Sequence, residues 1–385
     1  DPDIYDHKYY HCDVLIVGGG ISGIMAAKLS AENNNETLLL EDKNCLGGTT
    51  IYQNNDCFQI DETNTNYWLE KEIQNIKNIK NLTIKTRTSL AAYHGYNYLL
   101  ARENLTDHLS PDQRKNKIRQ RLWKIRAKKV IIATGSIERP LIFNNNDRPG
   151  IMLSSAIKKF IDFYGVKAGK KVSLFTNNDS AYETAISLKK SGVNIVSIID
   201  IRDKSSSRII EETEKLNIKI YWKHTVVNTE GYKRIRFIEI MQLSDDGSGV
   251  IGKKIKLKSD CLGISGGWTP MVHLFTQSGG KLKFRSDDNV FLPDKNKTPS
   301  GQISIGACNG DFDIKDIILN SNKQVKIFLG IENSSFDNLK VESSKEKNKR
   351  NIWLLPSDKP IGKTKPFLDF QNDSTAKDVK LALRE

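Results

Sequence analysis

The sequence predicts an α/β protein built from two nested Rossmann-like units of the FAD/NAD(P)-binding, two-dinucleotide-domain type, followed by a C-terminal connector. Three observations carry that prediction. A glycine-rich turn joins an apolar run to a helical pattern near the N-terminus. A strand, turn, helix, strand pattern recurs mid-chain, and a strand, a glycine and a helix return after it.

The first stretch, residues 13–42, reads DVLIVGGGISGIMAAKLSAENNNETLLLED. Val14 to Val17 form an unbroken apolar run, the pattern of a parallel strand buried on both faces. Gly18, Gly20 and Gly23 follow in GxGxxG spacing: the first permits a tight turn, the second admits a pyrophosphate close to the backbone, the third lets helix and strand touch. A helix from Ser22 to about Ala31 begins there, so Ile21, Ser22 and their N–H groups face the phosphates at the positive end of the helix dipole. A second strand, Thr37 to Leu40, ends at Glu41 and Asp42. Glu41 lies 18 residues beyond Gly23, close to the offset of roughly 20 at which an acid bonds a ribose 2′-OH.

Other stretches complete the crevice. Gly47, Gly48 and Thr49 in CLGGTT let a loop approach the nucleotide from the other side. RAKKVIIATGSIERP is a strand ending in Ala133, Thr134 and Gly135, where the chain leaves the sheet. QISIGACNGDFDIKDIILNS returns with a strand, then Gly306 and Ala307, then a helix. The expected division is residues 1–140 for the first part of the dinucleotide-binding domain, 141–270 for the inserted unit, 271–335 for the return and 336–385 for the connector.

The inserted unit starts at KKVSLFTNNDSAYETAISLKKSGVNIVSIID. Where the glycines would fall it has Thr176, Asn178 and Ala181, whose Cβ atoms obstruct approach to a pyrophosphate, so its glycine turn is degenerate. Asn177, Asn178 and Asp179 are expected to cap the following helix.

Composition narrows the function. The 385 residues, 38% hydrophobic, suffice for two or three cored domains. No apolar segment reaches the ~18 residues of a membrane span and DPDIYDHKYYHCD lacks a signal-peptide core, so a cytoplasmic protein with no membrane role is expected. Cys12, Cys45, Cys57, Cys261 and Cys308 include no CxxC, so neither a zinc site nor a redox thiol pair is implied. The net charge of +13 is dispersed among acids, without the aromatic and basic stripe of a nucleic-acid binder. His94 and His273 are the histidines with aromatic neighbours, and each reads as a packed or surface residue. No catalytic residues and no metal ligands are assigned.

The segments YDHKYYHCDVLIVGGG, ATGSIERPLIFNNNDRPGIML, VSLFTNNDSAYETA, GGWTPMVHLFTQSGGKL and FLDFQNDSTAKDVKLALRE together resemble the alpha subunit of heterotetrameric sarcosine oxidase across nearly the whole chain. The resemblance implies a middle portion of that subunit, preceded by a small ferredoxin-like region and followed by a folate-binding domain resembling an aminomethyltransferase. The ending KLALRE, mid-helix by its pattern, fits a fragment. The resemblance further implies a tightly bound NAD in this chain, an FMN shared at the junction with the beta subunit, and an FAD in that partner where sarcosine is oxidised. Beta, gamma and delta subunits are the implied partners. The implied reaction is oxidative demethylation of sarcosine to glycine, an oxidation at a CH–NH donor giving H2O2 and formaldehyde or methylene-tetrahydrofolate. On that reading the isolated chain is a scaffold and not a catalyst. Alternatives are the alpha subunit of a related amine or proline dehydrogenase binding FAD or ATP, a stand-alone pyridine-nucleotide-dependent flavin reductase, and a non-catalytic interaction module.

Position 307 separates NAD from FAD. In FAD proteins of this architecture the last strand typically ends in Gly-Asp, the aspartate bonding the ribityl region; here the place reads Gly306-Ala307. Asp311 and Asp313 follow closely enough to substitute. Glu41 suits an unphosphorylated ribose and disfavours the extra phosphate of NADP. The tail from Trp353 to Glu385, with Pro356, Pro360 and Pro366 ahead of a helix starting in STAKD, reads as a connector near the shared FMN.

Overall fold

A computed structural model of the chain describes residues 3–52, 59–342 and 350–385. The chain divides into two compact units, Asp1–Ile137 with Thr269–Ser343, and Glu138–Trp268 with Ser344–Glu385.

The first unit is organised by the strand Ile4–Val17. Its last four residues pair in parallel with Thr37–Leu40 on one side, and its whole length runs beside Ile118–Ile132 on the other. Leu82–Lys85 extends the sheet beyond Thr37–Leu40, and Gln302–Ser304 joins it against Val130–Ile132. The strand thus runs ten residues further back than the apolar run at Val14–Val17 reveals, because backbone pairing with Ile118–Ala127 needs no apolar face: most of its first half is exposed and mixes charged residues with tyrosines. The strands Thr88–His94 and Tyr98–Asn104 continue antiparallel from the first half of Ile118–Ile132.

Alternation along Val14–Val17 sends Val14 and Ile16 into one core with the helix Ile21–Glu32, and Leu15 and Val17 into another on the opposite face. The helix Ile21–Glu32 is buried nearly all round, between the sheet and the helices Thr65–Lys77 and Ile314–Leu329, which is why it is rich in Gly, Ala and Ser and not amphipathic.

The second unit holds a parallel sheet in the order Ile151–Leu153, Cys261–Ser265, Lys171–Thr176, Asn194–Asp200, Ile220–Trp222. The antiparallel strands His224–Glu230, Phe237–Leu243 and Val250–Lys258 complete it. Capping after Lys171–Thr176 falls to Asn178, whose Oδ1 accepts from the Ser180 N–H at 2.9 Å, whereas Asp179, at the cap position itself, makes no side-chain cap bond.

The C-terminal segment lies along this second unit. Asn144 and Asn146, from the phrase ERPLIFNNNDRPG, pair with its backbone: the Lys365 N–H donates to Asn144 Oδ1 at 2.9 Å, and Asn146 both accepts from the Phe367 N–H and donates to its carbonyl at 2.8 Å. The helix Ala376–Ala382 follows, opened by a capping box of Thr375 and Asp378.

The third glycine of the turn is fixed by backbone contact. A Cβ on Gly23 would stand 1.8 Å from the Gly18 carbonyl oxygen. Gly23→Ala is expected to lower the denaturation midpoint by overpacking worth roughly 1–3 kcal/mol or more, read by urea titration; an unchanged midpoint would contradict this contact.

Candidate nucleotide site

Register assembles the site. Lys85, Leu40, Val17, Ile132 and Ser304 are aligned ends of neighbouring parallel strands. Whatever follows each strand therefore lies along one edge of the sheet, and those followers are Thr86, Glu41, Gly18, Ala133 and Ile305-Gly306. One more rung fixes them: Gly18 N–H donates to Leu40 O, Ala133 N–H to Val17 O and Ile305 N–H to Ile132 O, all within 2.8–2.9 Å.

The turn then delivers the helix. Gly18 has φ +110°, and a Cβ there would meet the Ala133 carbonyl oxygen at 2.3 Å, so Ala133 is placed by the glycine it touches. Gly20 is the helix N-cap with no side-chain cap bond, and the first helical turn, from Ile21 through Ser22 and Gly23, carries no acid. No side chain of the helix itself offsets its positive end. Gly20 differs from its neighbours: the nearest atom a Cβ would meet is Gly48 Cα at 4.0 Å, and its φ of −73° suits any residue. Nothing in the protein requires glycine at position 20.

Gly47 N–H donates to Gly19 O at 2.8 Å, holding the CLGG loop against the turn. Gly48, at φ +57°, would place a Cβ 3.0 Å from Gly20 Cα. Thr49 and Asp42 are exposed beside it, Asp42 paired with Lys43. Thr134 is held by its hydroxyl, which donates to Met271 O at 2.9 Å, and Gly135 at φ +74° turns the chain away. Gly306, at φ +68°, abuts the helix: a Cβ there would meet Ser22 Oγ at 2.2 Å, and that hydroxyl pairs with Ser321 Oγ. Ala307 is half-buried in the turn that follows.

Glu41 is 5% exposed. Its Oε2 accepts from Gly19 N–H at 2.7 Å and its Oε1 from Lys43 N–H at 2.8 Å, leaving each oxygen a lone pair for a further donor. Burial, reinforced by a hydrogen bond with Asp42, pushes its carboxyl up to about 7 against the opposing pull of those two N–H groups. Sequence reasoning found Glu41 by spacing but not its grip on the turn, because a carboxylate-to-backbone bond across 22 residues has no local signature.

The glycine turn, the uncapped helix and the buried acid thus lie together at one edge of the sheet, the arrangement on which dinucleotides bind in folds of this class. The sequence matches the pyridine nucleotide-disulphide oxidoreductase family over residues 12–309. The chain belongs to that family. It is homologous to the alpha subunit of sarcosine oxidase: that of Corynebacterium sp. (strain P-1) is 32% identical over 389 residues, covering 98% of this chain and 39% of the relative. The chain thus spans about two fifths of the length of the curated relatives it matches. Among solved structures, thioredoxin reductase of T. acidophilum superposes with a TM-score of 0.61 at 18% identity, covering 83% of this chain and 97% of that one. L-proline dehydrogenase of P. horikoshii gives a TM-score of 0.58 at 21% identity, covering 89% and 62%. These likenesses establish a thioredoxin-reductase-like two-dinucleotide fold.

Cys12, Cys45, Cys261 and Cys308 form no disulfide, and burial raises the Cys12 and Cys261 thiols to about 12, where they stay protonated. Cys57 lies outside the described residues. His94 and His273 are exposed. Among the described residues no group of His, Cys, Asp and Glu is arranged to hold a metal, and no helix is long and apolar enough to cross a membrane.

Two outcomes are expected. Gly20→Ala should fold with wild-type stability and lose bound nucleotide, measured as nucleotide released per chain on denaturation; full retention would remove the turn from the site. The second is a pH dependence. A raised Glu41 pKa means the folded chain favours the protonated acid, a stabilisation complete below the ordinary value of 4.5 and lost as pH rises through about 7. Ribose hydroxyls donating to Glu41 favour the carboxylate instead. Nucleotide affinity should therefore weaken by up to about tenfold per unit below pH 7 and level off above it. Glu41→Gln should flatten that profile in a calorimetric titration, and a wild-type slope in the variant would exclude Glu41 as its source.

Proposed function

We propose that this chain is the NAD-holding portion of the alpha subunit of a sarcosine-oxidase-type enzyme, with the flavin chemistry in partner subunits. The observation that carries the choice of NAD is position 307. The strand Gln302–Ser304 delivers Gly306-Ala307 to the crevice edge, and Ala307 offers no carboxylate for a ribityl chain. Asp313 is committed elsewhere: it caps the helix Ile314–Leu329, accepting from the Lys315 and Asp316 N–H groups. An FAD here would forgo a charge-assisted hydrogen bond worth roughly 1.5–3 kcal/mol, whereas NAD has no ribityl chain to satisfy.

The residues present fit a dinucleotide. The N–H groups from Gly20 to Ser22 would take the pyrophosphate, Glu41 the adenosine ribose, and Gly48, Ala133, Thr134 and Gly135 would flank it. When bound, NAD supplies a hydride-accepting nicotinamide; the chain's own residues bind and orient it. The alpha-subunit relatives support partner subunits, and the substrate proposed for the whole assembly is sarcosine.

One observation favours FAD in the same crevice. Asp311 accepts from Asn320 with Oδ1, while its Oδ2 is buried without a partner and burial raises its carboxyl. The two readings separate in one experiment. Under NAD, the purified chain is colourless, releases NAD on denaturation, and Asp311→Asn leaves its content unchanged. A yellow chain releasing stoichiometric FAD, with that content reduced by Asp311→Asn, would replace NAD by FAD.

A further inference from the structure

The second unit repeats the layout of a dinucleotide crevice and fills it with its own chain. Thr176 pairs with Asp200 on one side and Ser265 on the other, so Asn177, Ile201 and Gly266 line the carboxyl edge of three adjacent parallel strands. Connections diverge from Lys171–Thr176 to strands on either side of it, which makes this edge a switch point of the kind where open α/β sheets take their ligands.

A segment from Arg350 to Leu355 reaches all three edge positions. Arg350 donates to Ile201 O at 3.0 Å and to Asp245 O at 3.1 Å, Asn177 Nδ2 donates to Arg350 O at 3.4 Å, and Trp353 Nε1 donates to Gly266 O at 2.6 Å. The Arg139 guanidinium lies 4.2 Å over the Trp353 ring. Main-chain bonds close the seat: Ile142 N–H donates to Trp353 O and Leu355 N–H to Ile142 O, each at 2.8 Å. Two glycines supply the space, since a Cβ on Gly266 would meet the Trp353 ring at 3.1 Å and one on Gly247 would meet Ile352 Cδ1 at 2.6 Å.

An independent observation concerns the acid. Asp200 stands opposite Thr176 as Glu41 stands opposite Gly18 in the first unit, at the ribose-binding place. Here it is engaged by its own chain. Arg202, 2% exposed, donates through Nε and Nη2 to Asp200 and reaches Asp179 with Nη1 at 2.8 Å, while Tyr182 OH donates to Asp200 at 2.8 Å. A guanidinium therefore joins the ribose position to the turn.

We propose that this crevice is a docking seat for the chain's own segment 350–355, which excludes a second pyridine nucleotide and sets where the following polypeptide leaves the unit. The seat takes an extended peptide that presents an arginine and, three residues on, a tryptophan. A mobile NADH or NADPH then has no entry through this unit, whatever the first crevice holds.

The test uses the full chain carrying Gly20→Ala, so that the first crevice does not contribute. Titrated with NADH and NADPH separately to millimolar concentration, it should show no saturable binding and no added amide protection at 177–181. Replacing Arg350 and Trp353 together by alanine should speed amide exchange at 177–181 and 201–202 by about tenfold or more, an opening change of about 1.4 kcal/mol, while 171–176 and 261–265 stay protected as the sign of an intact sheet. Saturable binding of either nucleotide with protection at 177–181 would overturn the proposal. So would unchanged exchange after both replacements with the sheet intact.

Discussion

The first unit depends on strand ends that finish level. Because Val17 pairs with both Leu40 and Ile132, and Ile132 in turn with Ser304, the residues that leave these strands emerge side by side. A slip of one residue in any pairing would turn each strand's side chains to the opposite face and carry Glu41 or Gly306 out of line. The cores on both faces of the sheet prevent such a slip, since Val14, Ile16 and Leu39 fill one and Leu15, Val17 and Leu40 fill the other. Burial of apolar side chains thus sets the position of the polar backbone groups at the strand ends.

Much of this crevice was legible in the sequence because its demands on the backbone are local. Gly18 and Gly23 are dictated by atoms a few residues away in the same turn, apart from the Ala133 carbonyl, and the spacing to Glu41 follows from one helix and one strand. What was not legible depends on distant partners. The first half of Ile4–Val17 is a strand only because Ile118–Ala127 runs beside it. The acid pair on Arg202 is invisible as a motif, since Asp179 and Asp200 lie on either side of a whole helix and strand. Nor does the run of asparagines at 144–146 announce that the side chains of Asn144 and Asn146 hold the backbone of residues 365 and 367, more than 200 positions away.

The two crevices show one scaffold settled in two electrostatic ways. In the first, no side chain caps the helix end, and the buried acid is held by two backbone N–H groups with no cation paired to it among the described residues. In the second, the acid has met an internal cation and the edge carbonyls have met Arg350 and Trp353. Loss of the glycines at Thr176, Asn178 and Ala181 accompanies that internal settlement. Side chains that would obstruct a pyrophosphate are tolerated where hydrogen bonds are already made within the chain, as Asn178 shows by bonding Ser265 and Ser180.

The asparagine pairing with the tail has a chemical consequence of its own. An amide side chain can imitate a strand residue because it offers a donor and an acceptor at once, and Asn146 uses both on Phe367. Hydrolysis of that amide to a carboxylate, the slow ageing reaction that makes asparagine a thermolabile residue, would keep the acceptor and erase the donor. The new negative charge would then face the Phe367 carbonyl oxygen at the distance once bridged by a proton. A single ageing event in one side chain would thereby turn an attachment point into a point of repulsion, and the tail's hold on its unit would carry a clock set by the lifetime of an amide.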